Sequence, residues 1–379
     1  MTVARRQLAF VLFRYFPFGG LQRDCLRLAE ACARAGHRVE LHTLSWQGPR
    51  PPGITVHEHA VPGWTHHGRA RRFAERVARD LGARRARGEI DRVIGFNKLP
   101  GLDIYYAADP CFAARADLRG RRWLPRYRTY LALEAAVFGA AGASRILTLT
   151  AEQADRYRSV YGTPVNRFQH VPLPIGPERQ RPPDADAVRA AFRGALGVSD
   201  EHCVLLALGS GFRTKGLDRS LRALGALAPE TRARVRLLVV GADRPGPYQR
   251  LARRLGVADR VTFCGGRSDA PRYLLGADLL LHPARVESGG IVLLEAMLAG
   301  LPVIASGACG FAPIVAGADA GCVLPEPFQQ SMFDQTLARA VADRGARSAW
   351  STGGLAFARR VDPGADLDRL VALVTADAP

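Results

Sequence analysis

The chain has almost no lysine. Of its 53 basic residues only Lys98 and Lys215 are lysines, the rest being arginine, and 35 acidic residues leave a formal net charge of +18. So uniform a preference for arginine reads as genome composition, which singles out the two exceptions. No run approaches the ~18 to 20 apolar residues of a membrane span, and LAFVLF near the start is far too short. MTVARRQLAFVLF has the charge and apolar run of a signal peptide, yet RYFPFGGLQRD follows without a small-residue cleavage site, so the segment reads as a first strand. The seven cysteines, at 25, 32, 111, 203, 264, 309 and 322, are odd in number and show neither C-x-x-C nor Cys/His ligand spacing. That excludes a disulfide framework and a zinc motif, and it points to reduced thiols in a cytoplasmic protein. The dinucleotide fingerprint G-x-G-x-x-G and the P-loop G-x-x-x-x-G-K-[ST] are both missing.

What is there describes a folded chain. Hydrophobic residues make up 47% and charged residues 23%, with no low-complexity tract, which excludes disorder and fibres. At 379 residues it exceeds the ~250 at which single cores stop growing. Strand-length apolar runs alternate with helical patterns throughout, the signature of parallel α/β units. Strands are expected at 8–13, 38–44, 54–61, 92–96, 103–107 and 145–149, and again at 203–208, 236–240, 260–263, 279–282 and 302–305. A helix is expected over 21–35, burying Leu26, Leu28, Ala29 and Ala33 and stopped by Gly36. Five prolines at 172, 174, 177, 182 and 183 mark a linker. The fold class is therefore α/β, with two doubly wound Rossmann-like domains facing across a cleft. The expected division is an N-terminal domain over 1–172, a linker over 173–186, a C-terminal domain over 187–355, and a helical segment over 356–379 packing back on the first domain. Ligands of such sheets bind beyond the carboxyl ends of the strands.

Three loops carry the chemistry. FPFGGLQRD places Gly19 and Gly20 between a strand and a helix, where backbone can approach a ligand and helix N–H groups can meet an anion. GSGFRTKGLDRS, residues 209–220, sets Arg213 and Lys215 before a helix, two cations suited to a diphosphate. In HPARVESGGIVLLEAMLAGLPVIAS, residues 282–306, Glu287 and Glu295 stand eight apart, with Gly289 and Gly290 opening an apolar helix. A carboxylate so embedded is costly unless hydrogen-bonded, and a sugar diol is a suitable partner. The acidic pair Asp184 and Asp186 lies in the proline-rich stretch and reads as a helix N-cap, not a metal motif.

The E-x7-E segment, the Lys-Gly loop and the N-terminal Gly-Gly loop together resemble the retaining GT-B glycosyltransferases of the family that includes glycogen and sucrose-phosphate synthases (GT4 type). YFPFGGLQRD (15–24), SWQG (45–48), HHGR (66–69), GFNKLPGLD (95–103), YYAAD (105–109) and ESGGIVLLEA (287–296) are similar, more narrowly, to the lipopolysaccharide core glucosyltransferases of Gram-negative bacteria. The resemblance implies transfer of glucose from UDP-glucose to an inner-core heptose, with retention. It makes Glu295 the ligand of the ribose hydroxyls and Glu287 that of the donor sugar. Gly289, Gly290, Ile291 and Val292 would lie against donor and diphosphate, and Lys215 with Arg213 would compensate the leaving group. The family's Arg-Lys-Gly reads Arg213-Thr214-Lys215-Gly216 here, so the arginine is displaced by one residue. Asp109 matches the acidic residue near donor sugar and acceptor, while Gly19, Gly20 and Asp24 line the N-domain side. His66, His67, Arg69, Asn97 and Lys98 are acceptor candidates. Asp109, Glu287 and Lys215 are the catalytic candidates; no obvious nucleophile emerges beyond Asp109 as a candidate, which favours front-face attack, with the leaving phosphate oxygen taking the proton and no metal or other cofactor required.

An anionic partner is implied by the charge. Residues 65–88 hold eight arginines against Glu75 and Asp80, with Phe73, Val77 and Leu81 as an apolar stripe, an ordinary basic surface helix. Residues 111–130 hold six arginines against Asp117, interleaved with Phe112, Trp123, Tyr127 and Tyr130. That combination suits an anionic membrane surface, with Arg119, Arg121, Arg122, Trp123, Arg126 and Tyr127 as contacts. The expected location is peripheral, on the cytoplasmic face of the inner membrane, where a lipid-linked phosphorylated heptose acceptor is presented. UDP-galactose, UDP-GalNAc and UDP-GlcNAc remain open as donors, because spacing does not reveal discrimination at one hydroxyl. A nucleic-acid-binding protein is the rival class, and it lacks any recognised motif or stacking platform.

Overall fold

The computed structural model describes residues 5–17, 19–114, 120–142, 144–171, 175–176 and 179–376. Its contacts divide the chain into two units, Met1–Pro174 with Pro363–Pro379, and Ile175–Asp362.

The first unit runs β1 (Gln7–Val11), α1 (Gly20–Arg34), β2 (Arg38–Thr43), β3 (Ile54–Glu58), α2 (His66–Ala86), β4 (Arg92–Gly95), β5 (Ile104–Ala107), α3 (Pro125–Phe138), β6 (Arg145–Thr148), α4 (Ala151–Tyr161) and β7 (Phe168–His170). The strands form one parallel sheet in the order β3-β2-β1-β4-β5-β6-β7. A sheet covered on both faces needs apolar side chains in both directions, which is why β1 reads as a continuous run. Leu8, Ala9, Phe10 and Val11 are all fully buried, and each such Leu, Phe or Val stabilises the fold by ~1.5–3 kcal/mol. The strand order reverses between β1 and β4, so the loops after those two strands diverge and leave a crevice for ligands.

The second unit runs α5 (Ala185–Ala195), β8 (Cys203–Leu208), α6 (Leu217–Ala226), α7 (Pro229–Ala233), β9 (Val235–Val240), α8 (Gly246–Arg254), β10 (Val261–Gly265), α9 (Ala270–Gly276), β11 (Leu279–His282), α10 (Ile291–Ala299), β12 (Val303–Ser306), α11 (Ala312–Gly317), β13 (Gly321–Leu324), α12 (Gln330–Ala342) and α13 (Arg344–Ala358). Its parallel sheet has the order β10-β9-β8-β11-β12-β13, with the reversal between β8 and β11. The chain then returns to the first unit as α14 (Pro363–Thr375), which packs on α1 and whose Leu373 carbonyl accepts a 3.0 Å hydrogen bond from Arg145.

Several expectations shift. β7 and β13 are additional strands; both are short and mostly half-buried, so neither stands out as a run. Helix α1 buries Asp24, Cys25, Leu28, Ala29, Ala31 and Cys32, while Leu26 and Ala33 are only half-buried, a rotation of the expected face. Much of the proline-rich stretch already belongs to the second unit, because Arg181 donates to the Ala299 carbonyl (2.6 Å) and Ala185 begins a helix. Asp184 occupies the N-cap of that helix without a side-chain cap bond, and Asp186 pairs with Arg181 at 2.6 Å. All seven cysteines are free thiols, five of them buried. No helix among the described residues is long and apolar enough to cross a membrane.

Candidate functional site

In the second unit the loop after β8 and the loop after β11 are packed backbone to backbone. Gly216 has φ +72°, and a Cβ there would fall 2.0 Å from the Pro283 carbonyl oxygen, so only glycine permits this approach. The loop is clamped from the other side by Arg285. Its N–H donates to the Thr214 carbonyl (2.8 Å), and its guanidinium donates to the Arg213 carbonyl (2.9 Å) and to both Asp218 oxygens at 2.8 and 2.9 Å. Hydrogen bonds from Arg285 and Arg222 outweigh the burial of Asp218 and hold its carboxyl at about 2. The Arg213 side chain itself is exposed.

This packing brings the Lys215 ammonium into direct contact with the Glu287 carboxylate. Burial pulls Lys215 down to about 8, and the adjacent carboxylate opposes that pull by favouring the charged amine. His282, at the carboxyl end of β11, lies with Nε2 3.6 Å from Glu287 Oε2. Burial, reinforced by Lys215, pushes the imidazole well below its usual range, so it is neutral. His282 Nε2 and Ser288 Oγ are buried without a hydrogen-bond partner. Buried polar atoms of this kind call for a partner, which a water or a bound ligand supplies.

The segment around Glu287 is pinned rather than loose. Glu287 N–H donates to the Ala308 carbonyl (3.2 Å), and Phe311 N–H donates to the Gly289 carbonyl (2.8 Å). Gly290, at φ +89°, is the N-cap of α10 and supplies no side-chain cap. The first N–H groups of that helix are thus presented beside Glu287 and Lys215, an anion-binding arrangement. From Val292 to Ala299 every residue of α10 is buried, which fixes the direction of the helix. Glu295 is buried on it, 3.1 Å from Arg179 Nε. A sugar diol is the partner expected from the sequence; the protein also supplies a guanidinium, from the stretch that reads as linker.

The N-terminal candidates divide. Gly19 is the N-cap of α1 with φ −88°; a Cβ there would meet the Gln22 Oε1 at 2.0 Å and the Phe16 ring at 2.6 Å, so glycine leaves room for these two side chains. Gly20 opens the helix, and Asp24 turns inward to Arg27 (3.1 Å). Asn97 Oδ1 accepts from Phe13 N–H (2.7 Å), and Arg14 reaches His66 Nδ1 (2.9 Å), so the loops after β1 and β4 and the start of α2 are tied together. His67 stands next on α2, 3.5 Å from Thr65 Oγ1, and Arg69 is half-buried one turn inside that helix. Lys98 is not free for an acceptor: its ammonium sits 2.5 Å from Glu134 and 2.9 Å from the Pro110 carbonyl. Glu134, fully buried on α3, also accepts from the N–H groups of Phe112 (2.7 Å) and Ala113 (2.9 Å) and from Tyr161 Oη (2.8 Å). This hub fixes the segment carrying Asp109, whose carbonyl accepts from Tyr157 Oη (2.9 Å). Burial pushes the Asp109 carboxyl up against the opposing influence of Lys98.

The aromatic-basic stretch also divides. Trp123 is 71% exposed, and Arg121, Arg122 and Arg126 are exposed beside it. Tyr127 and Tyr130 instead pack on Phe112, with ring centroids 5.9 and 5.6 Å away. Arg119 lies outside the described residues. Sequence reasoning missed His282, Ser288, Arg179 and Glu134; of these only His282, at a strand's carboxyl end, and Ser288, between Glu287 and Gly289, sit where position alone points.

A family model described as glycosyl transferases group 1 matches residues 188–355. The chain is 40% identical over 358 residues to the lipopolysaccharide glucosyltransferase WaaG of Escherichia coli (strain K12), covering 94% of this chain and 95% of that one. The crystal structure of WaaG, a glycosyltransferase involved in lipopolysaccharide biosynthesis, matches with a TM-score of 0.91 at 38% identity over 98% of this chain and 100% of that one. Sucrose-phosphate synthase from Thermosynechococcus elongatus shares the fold, with a TM-score of 0.80 at 19% identity over 97% of this chain and 98% of that one.

Proposed function

Because the chain belongs to the group 1 glycosyltransferases, with the GT-B fold, we propose that it moves glucose from UDP-glucose to a heptose of the lipopolysaccharide inner core with retention. The observation that carries the donor half is the Lys215-Glu287 contact beside the uncapped start of α10. One cation and a row of helix N–H groups suit a diphosphate, Glu287 suits sugar hydroxyls and Glu295 suits a ribose diol. When the glycosidic bond to the diphosphate breaks, negative charge grows on the leaving oxygen. Lys215 and the helix N–H groups stabilise that charge, each by ~3 kcal/mol on the scale of single oxyanion donors. The acceptor hydroxyl attacks from the face the diphosphate leaves and passes its proton to the departing phosphate oxygen, with Lys215 and the helix N–H groups offsetting the diphosphate charge in place of a metal. Asp109 has no covalent role in this reading and acts on the acceptor side.

The acceptor half rests on the 40% identity with a lipopolysaccharide glucosyltransferase. Exposed Trp123 with Arg121, Arg122 and Arg126 supports peripheral attachment to the anionic cytoplasmic leaflet of the inner membrane, each near-surface arginine contributing ~1 kcal/mol. The test is a donor panel with truncated core acceptor, following transfer and anomeric configuration. Turnover with UDP-glucose and a retained product is expected; an inverted product, or no transfer from any UDP-sugar, overturns the reading.

A further inference from the structure

The first unit carries a cluster that the glycosyl transfer does not use. β3 is the edge strand of its sheet, and the parallel register pairs His42 of β2 directly with His57 of β3. Residues two apart on a strand share a face, so Glu40 and His42 on β2 stand beside His57, with His59 one step past the end of β3. One ligand atom from each of Glu40, His42 and His57 lies within 4.8 Å of the other two. We propose that Glu40, His42 and His57 form a binding site for a first-row divalent transition metal of the zinc class.

The distances suit such an ion. Three ligands at the ~2.0–2.1 Å bond lengths of tetrahedral zinc stand about 3.3 Å from one another. His42 Nε2 is 2.9 Å from Glu40 Oε1, and His57 Nε2 is 3.7 Å from Glu40 Oε2; the two imidazoles stack with centroids 4.8 Å apart, so the half-buried His57 ring turns about its side-chain torsions to bring both donors to one centre. The set of two imidazoles and one carboxylate favours zinc, cobalt or nickel over magnesium or calcium, which prefer all-oxygen shells. His59 Nε2 lies 2.8 Å from His42 Nδ1, the outer partner that holds a ligating imidazole in orientation.

The competitor is Arg84, whose guanidinium occupies both Glu40 oxygens at 2.7 and 3.0 Å. Its Nε already lies 3.3 Å from Glu89, so it has a second carboxylate to move to when an ion takes Glu40. This gives the proposal two opposite signatures. The full-length, tag-free, metal-stripped protein is titrated with Co2+ and with Zn2+, following the visible Co2+ absorption, the stoichiometry by equilibrium dialysis and the thermal midpoint. One equivalent is expected, with a midpoint that rises with Zn2+. His57→Ala, whose side chain is 41% exposed and whose loss leaves the core intact, removes both effects while keeping the metal-free midpoint. Arg84→Gln tightens binding, because a competing cation has gone. No bound equivalent in the parent protein, or binding unchanged in both variants, overturns the proposal.

Discussion

Glu295 offers the sharpest test, because its carboxylate has a partner inside the protein and a second one assigned from the donor. Arg179 Nε lies 3.1 Å from Glu295 Oε1, with the two side chains only 2% and 9% exposed. Removing one member of a buried pair strands the other and costs ~3–5 kcal/mol of stability. A hydrogen bond to a charged group is worth ~1.5–3 kcal/mol, which is about 10- to 150-fold in a dissociation constant. Glu295→Gln keeps the shape and removes the charge, so UDP binding by calorimetry should weaken by at least ~10-fold. Inhibition by inorganic pyrophosphate, which has no ribose, should stay as it was. Arg179→Met should lower the denaturant midpoint by the larger amount yet weaken UDP less than Glu295→Gln does, since the carboxylate remains. Equal UDP affinities in the folded Glu295→Gln variant and the parent would refute the ribose assignment. A parallel loss for UDP and pyrophosphate would refute it too, because it would mean that only the scaffold had moved.

Other positions give outcomes of different kinds. Gly216→Ala places a Cβ against the Pro283 carbonyl at a φ of +72°; backbone strain of ~1–3 kcal/mol is expected, read as a lower thermal midpoint together with lost transfer activity. Lys215→Met should lower kcat by ~10²–10³ with a smaller change in KM, as expected for a donor acting mainly on the leaving group; an unchanged kcat in a donor assay would remove that role. Asp218 is held at about 2 by Arg285 and Arg222, below its unfolded value of ~3.9. Its contribution is therefore fully present above pH ~4 and is lost as pH falls toward 2, amounting to about 2 kcal/mol. Asp218→Asn should flatten that acid limb in equilibrium unfolding, and an identical limb in both proteins would contradict it. Glu134→Gln strands Lys98 in the core and should cost ~3–5 kcal/mol in chemical denaturation, a loss that Lys98→Met in the same chain should partly restore.

Both sheets were legible because a parallel strand covered on two faces writes an uninterrupted apolar run, as CVLLAL and RLLVV do. GCVL and FQH escaped, being only four and three residues long. Gly290 and Gly216 were visible as glycines, but the reason for Gly216 is the Pro283 carbonyl, which only the folded chain brings near. Glu40, His42 and His57 have no linear spacing that announces them; a strand register joins them. Trp123 and Tyr127 look alike in composition, yet one is exposed and the other lies on Phe112.

The two buried glutamates show where local pattern stops being informative. LALEAAV around Glu134 and VLLEAML around Glu295 present the same picture, a carboxylate inside an apolar helix, and both are buried. A helix repeat fixes which face a residue occupies, but it says nothing about which distant cation meets that face, since ion pairing has no period along the chain. Glu134 is engaged by Lys98 and two peptide N–H groups and closes a structural hub. Glu295 faces Arg179 and lies one and a half turns into a helix whose uncapped start adjoins Glu287 and Lys215. What marks Glu295 rather than Glu134 as the candidate for binding is therefore the neighbourhood at the helix start, and of the two helices only α10 opens on glycine.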